Sequence, residues 1–178
     1  TNGGVVEFAL RLDLQVRPFE QPPYQGARDA QDLARRMKGN PRDAVPLFES
    51  GAVARWFAAN GWDYPVPGPQ ASGLAAVQQF FESLGLAKPP PLQLSQDRFQ
   101  FRCRVPEVQR GQVTLSTPLK RIVYAHVTSD APWLRVTTAS VSGNLKATAQ
   151  FEVDPSLASH DGTHTGVVRL TANANQTF

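Results

Sequence analysis

Residues 5–17 alternate apolar and polar side chains with a period of two. Val6, Phe8, Leu10, Leu12, Leu14 and Val16 share one face, and Glu7, Arg11, Asp13, Gln15 and Arg17 interleave with them. Successive side chains of a β-strand point to opposite sides, so this spacing predicts a long strand with one buried face. Pro18 and then Pro22-Pro23 end it. A lone strand has nothing to bury such a face against, so a sheet formed elsewhere in the chain must receive it.

Beyond residue 26 the apolar spacing becomes helical. Ala27 to Lys38 places Ala30, Leu33, Ala34 and Met37 on one side and closes with Gly39-Asn40. Pro41 suits the first turn of a second short helix carrying Val45, Leu47 and Phe48. A third, Ala52 to Ala59, groups Val53, Trp56 and Phe57, and Asn60-Gly61 stops it through a left-handed residue. After a stiff connector rich in proline (residues 62–69), Ser72 caps a helix bearing Leu74, Val77, Phe80, Phe81 and Leu84, with Gly85 past its end. These three or four short helices define a subdomain at 26–87. Lys88-Pro89-Pro90-Pro91 is a polyproline hinge that marks its boundary.

The rest, 92–178, reads as short strands separated by turns, the signature of a β-sandwich. The predicted strands are 92–95, Phe99–Val105, Gln112–Ser116, Arg121–Thr128, Trp133–Val136, Ala147–Val153 and Gly166–Ala172. After the turn Asn173-Ala174-Asn175 the sandwich stops at Phe178 without an expected last strand. The orphan strand at the N-terminus (within 1–18) has the length and amphipathicity to fill that place. Two placements satisfy it: pairing within its own sheet, or completion of a neighbouring sandwich, by strand swapping or in a tandem array.

Composition narrows the picture only slightly. The chain has 178 residues, 41% apolar and 19% charged, with 15 Pro and 13 Gly, which suits a turn-rich globular protein. Net charge is +3, and the most basic window, 97–121, places Arg102 and Arg104 in alternation with Phe101, Cys103 and Val105. That is the wet face of a strand rather than the basic stripe of a nucleic-acid binder, so no nucleic-acid partner is expected. Cys103 is the only cysteine, which excludes an internal disulfide and does not discriminate compartments. No apolar run is long enough for a transmembrane segment. Thr1-Asn2-Gly3-Gly4 lacks the features of a signal peptide, and the missing initial Met suggests an excised or processed piece.

Ala131-Pro132-Trp133-Leu134-Arg135-Val136, followed by Ser142-Gly143, Phe151-Glu152-Val153-Asp154 and the stretch from His164 to Asn173, resembles BACON-type and related bacterial immunoglobulin-like domains. Those share a strand reading xPWLxV, a glycine-containing turn, and a late strand after a G-x-H/Y-x-G turn. The resemblance covers 92–178. It implies an immunoglobulin-like β-sandwich of seven or eight strands, used as a spacer or binding module of large bacterial proteins, often extracytoplasmic, and it transfers no catalytic residue. The helical part, through Phe48 to Phe57, Asn60-Gly61-Trp62, Tyr64-Pro65-Val66 and Val77 to Phe81, looks like a segment found beside such sandwiches in bacterial multidomain proteins. The fold class that follows is mainly β with a helical insert (α+β).

Candidate chemistry is sparse. His160 and His164 flank Asp161-Gly162-Thr163. On a helix, histidines four apart chelate zinc and would open a metal-dependent hydrolase reading. Gly162 argues instead for a turn, with Asp-Gly as the hairpin joining the strands at 147–153 and 166–172. No metal site or cofactor is therefore expected. His126 fills a strand position, and Cys103 alternates with core residues, where a thiol is inert. There is no Gly-x-Ser-x-Gly and no phosphate loop, so the chain reads as no enzyme. Trp56, Trp62 and Tyr64, with Trp133 in the sandwich, are the candidate binding residues: two or more exposed in one plane would make a carbohydrate-binding platform. The competing reading is that they glue short helices which need tertiary packing to exist. The expected function is a structural or interaction module contacting protein, with glycan as the alternative. The seam between helices and sandwich is the favoured place for a site.

Overall fold

The computed structural model describes residues 15–159 and 161–178. Among the described residues four helices come first: α1 (Ala30–Lys38), α2 (Pro41–Glu49), α3 (Ala52–Ala59) and α4 (Gly73–Ser83). Asp29 caps α1 by accepting from the Asp32 N–H at 2.7 Å, while Arg35, Arg36 and Lys38 occupy its negative end. Helices α3 and α4 both terminate through left-handed glycines, Gly61 at φ 67° and Gly85 at φ 71°. In each case the residue after the glycine reaches back to a helix carbonyl, Trp62 to Phe57 and Leu86 to Phe81. Helices of eight to eleven residues are marginal alone. They are held by a shared core of Phe19, Leu33, Met37, Val53, Trp56, Phe57, Val77 and Phe80, all buried.

Among the described residues eight strands follow, in two antiparallel four-stranded sheets. One sheet runs β1 (Gln93–Leu94), β2 (Gln109–Ser116), β6 (Lys146–Val153), β4 (Leu134–Val136). The other runs β5 (Ser140–Asn144), β3 (Ile122–Ser129), β7 (Val168–Ala172), β8 (Gln176–Thr177). Strand β6 shows why they face each other: Ala147, Ala149, Phe151 and Val153 are buried while Lys146, Thr148 and Gln150 are exposed. Val113, Leu115, Ala147 and Ala149 of the first sheet meet Val123, Ala125, Val127, Leu170 and Ala172 of the second in one core. The chain is thus mainly β, a sandwich with a helical subdomain, as its pattern predicted.

Four expectations are corrected. Phe99–Val105 is not a strand, although its alternation is real. Phe99 and Phe101 lean on the Phe151 ring (centroids 5.2 and 6.1 Å) while Arg102 and Arg104 face water, so the segment packs on the sandwich without a hydrogen-bonded ladder. Strand β5 was missed because Val141 is its only apolar side chain and it lies at a sheet edge. The strands 147–153 and 166–172 do not form a hairpin: β6 and β7 belong to different sheets. Finally, the sandwich does begin its last strand. Gln176 and Thr177 pair with Ala172 and Thr171, and Phe178 exchanges two backbone hydrogen bonds of 3.0 Å with Leu170.

The predicted N-terminal strand falls mostly on residues 5–14, outside the described residues. Its described end, 15–17, belongs to no sheet. Arg17 is held by α3 instead: its N–H donates to Asn60 Oδ1 and the Trp56 indole N–H donates to its carbonyl, both at 2.7 Å.

Candidate functional site at the seam between helices and sheet

Helix α4 lies against the outer face of the second sheet through four polar side chains, not through an apolar stripe. Gln78 acts as a substitute strand: its amide oxygen accepts the Ile122 N–H at 3.0 Å and its NH₂ donates to the Ile122 carbonyl at 2.9 Å. One turn on, Glu82 is 8% exposed. Its carboxylate accepts from the Tyr124 hydroxyl (2.7 Å), the Asn173 NH₂ (3.1 Å) and the Gln78 NH₂ (2.6 Å). Asn173, fully buried, also accepts the Tyr124 N–H at 3.1 Å and donates to the Ile122 carbonyl at 3.0 Å. Its side chain therefore continues the sheet's hydrogen bonding past the end of β7, where Ala174 and Asn175 turn away with φ of 50° and 60°.

A buried carboxylate is tolerable only when its lone pairs are satisfied. Here three neutral donors do that, and no cation takes part in the hydrogen bonds. Burial first, then the hydrogen bond and the charge of Glu82, push the Tyr124 hydroxyl well above the usual tyrosine range. The proton thus stays on the tyrosine, which keeps the donor that Glu82 requires. Beside this seam the connector residue Pro90 is fully buried, and its carbonyl accepts from the Gln176 amide at 3.1 Å.

Two cavities flank the network and share Gln79, Tyr124 and Asn175. The smaller, about 40 Å³, lies between the 69–72 loop and the sheet, with Ser72, His126, Ser140 and Thr171 in its wall. His126 Nδ1 is buried there without a partner among the described residues. The larger, about 240 Å³, opens between Pro65, Pro67, Ser83 and Ala174, and among the described residues Glu82 is the only formal charge lining either. The lining offers amides, hydroxyls and proline faces, a surface suited to neutral hydrogen-bonding contact.

The residues singled out in the sequence lie elsewhere. Trp56 is buried in the helical core, edge-on to Phe57 (5.4 Å, 89°) and to Trp62 (5.2 Å, 86°). Tyr64 stacks on Phe80, and burial pushes its hydroxyl up to about 12. Trp62 and Tyr64 are half-buried on that same core. Trp133 sits apart in the sandwich, against Leu134 and Phe151, 6.1 Å from the His164 ring. Trp56 and Trp62 are thus perpendicular neighbours on the helical core that Tyr64 also joins, while Trp133 belongs to a separate cluster. His160 lies outside the described residues, and among those described no three His, Cys, Asp or Glu are grouped to hold a metal. Cys103 is half-buried beside the Leu134–Phe151 cluster. No described helix is long and apolar enough to cross a membrane.

Sequence reasoning missed Gln78, Glu82, Tyr124 and Asn173. Gln78 and Glu82, four apart on α4, look like a solvated helix face, and only the spacing of two polar groups on one side hinted at a shared contact.

Residues 91–177 match the family model described as viral BACON domain. No curated protein matches the chain.

Proposed function

We propose, from the match of residues 91–177 to the viral BACON domain model, that the chain is a non-catalytic spacer and protein-contact module of a larger protein. In this reading the helical subdomain and the sandwich move as one rigid body. The observation that supports it is the Gln78–Glu82–Tyr124–Asn173 network, which ties α4 to the sheet side by four hydrogen bonds of 3.1 Å or less. A spacer must hold what it joins at a set distance, and a directional polar contact fixes orientation better than a slippery apolar one.

The test is a distance distribution. Spin labels at Glu49→Cys in α2 and Gln112→Cys in β2, both exposed positions, in a Cys103→Ser background, are read by double electron–electron resonance. A single narrow distance is expected, broadened by Glu82→Ala. A broad distribution in the parent would sink the spacer reading.

A further inference from the structure

The end of the sandwich where β2 turns into β3 and β5 into β6 carries an apolar and basic tip. Its two loops, 117–121 and 144–146, are joined through the backbone of Leu145. The Leu145 N–H donates to the Arg121 carbonyl and its carbonyl accepts from the Thr117 N–H, both at 2.9 Å. Leu119 and Leu145 stand on these loops, each 46% exposed, and neither belongs to a core cluster. Lys120 and Arg121 follow Leu119 in the chain and Lys146 follows Leu145, all exposed and none in an ion pair among the described residues. Neither loop contains an acidic residue.

Leu145 is also strained. Its φ of 66° is left-handed, a conformation in which Gly or Asn is at ease and leucine is not. The fold by itself gains from Asn or Gly at this turn, which would relieve the backbone and remove apolar surface from water. A leucine at this turn, on a loop bonded to that of a second exposed leucine and next in sequence to exposed cations, points outward to a partner.

We propose that this tip docks on an anionic lipid bilayer, the leucines entering the headgroup boundary while the three cations meet the lipid charges. A projecting turn needs no complementary pocket when it meets a bilayer, whereas a protein partner would have to supply one. Apolar side chains next in sequence to Lys and Arg match both layers of an anionic membrane surface. The inference is independent of the spacer reading.

The test is co-sedimentation of the full chain with vesicles of phosphatidylcholine, alone or mixed with phosphatidylserine. Binding to the mixed vesicles only is expected. Each basic residue close to an anionic surface contributes roughly fivefold to partitioning, so Lys120→Gln/Arg121→Gln/Lys146→Gln should lower it by roughly a hundredfold. Leu119→Ser/Leu145→Asn should lower it by roughly tenfold while leaving the melting temperature unchanged or higher, because Asn tolerates the left-handed turn. Three results overturn the proposal: no binding to mixed vesicles, equal binding to phosphatidylcholine alone, or a leucine variant that binds as tightly as the parent. An acidic protein as the true partner would give the first of these.

Discussion

Tyr124→Phe removes one oxygen atom from the seam and leaves its packing untouched. The hydroxyl donates to Glu82 Oε2 at 2.7 Å, and the residue is 5% exposed, so water does not replace it. A hydrogen bond to a charged acceptor contributes roughly 1.5–3 kcal/mol net. Glu82 keeps Gln78 and Asn173 as donors, which places the loss toward the lower half of that range, about 2 kcal/mol. The second contact of the hydroxyl, from the Ala174 N–H at 3.4 Å, lies at the limit of hydrogen bonding and adds little. In a chain of this size each kcal/mol moves the melting temperature by roughly 2–4 °C, so a fall of about 4–8 °C is expected. Thermal unfolding followed by tryptophan fluorescence reads both lobes, because Trp56 and Trp62 report on the helical core and Trp133 on the sandwich. A double-mutant cycle with Glu82→Gln isolates the pair. A melting temperature within about 1 °C of the parent, or a coupling near zero in the cycle, would refute the claim that this contact holds the lobes together.

Two further outcomes follow from the same physics. The raised Tyr124 and Tyr64 hydroxyls keep their protons in the folded chain, while in the unfolded chain they ionise near the ordinary tyrosine value of about 10. The stability they contribute is therefore complete below pH ~10 and lost as pH climbs from there through about 12 for Tyr64 and higher for Tyr124. Melting temperatures measured across that alkaline range should fall less steeply in Tyr124→Phe than in the parent. In the sandwich, a Cβ at Gly111 would lie 2.4 Å from the Phe151 ring, which Phe99 and Phe101 already confine. Gly111→Ala should cost roughly 1–3 kcal/mol through overpacking, read by urea denaturation, and Gly111→Ala/Phe151→Leu should recover part of it.

Local physics was legible in the sequence. The bounds of α3 follow from its apolar face and the Asn60-Gly61 stop, and the buried row of β6 follows from strict alternation at Ala147, Ala149, Phe151 and Val153. The xPWLxV strand and the glycine turns carried the BACON resemblance that the family match bears out. Period and turn chemistry are properties of neighbours in sequence, so they survive without a partner in view.

Tertiary structure decided what depends on partners far along the chain. Phe99–Val105 alternates like a strand yet packs without a ladder, because alternation records which side chains face the core and not whether a backbone lies alongside. Gln176–Thr177 are too few and too polar to announce a strand until β7 is beside them. Strands β6 and β7 lie in different sheets despite the Asp161-Gly162 dipeptide between them, because the core needs apolar faces on both sides. Glu82 is the clearest case. Its three donors come from Gln78, Tyr124 and Asn173, the last 91 positions away. A carboxylate on a helix reads as solvated until the fold removes the water and supplies hydrogen bonds in its place.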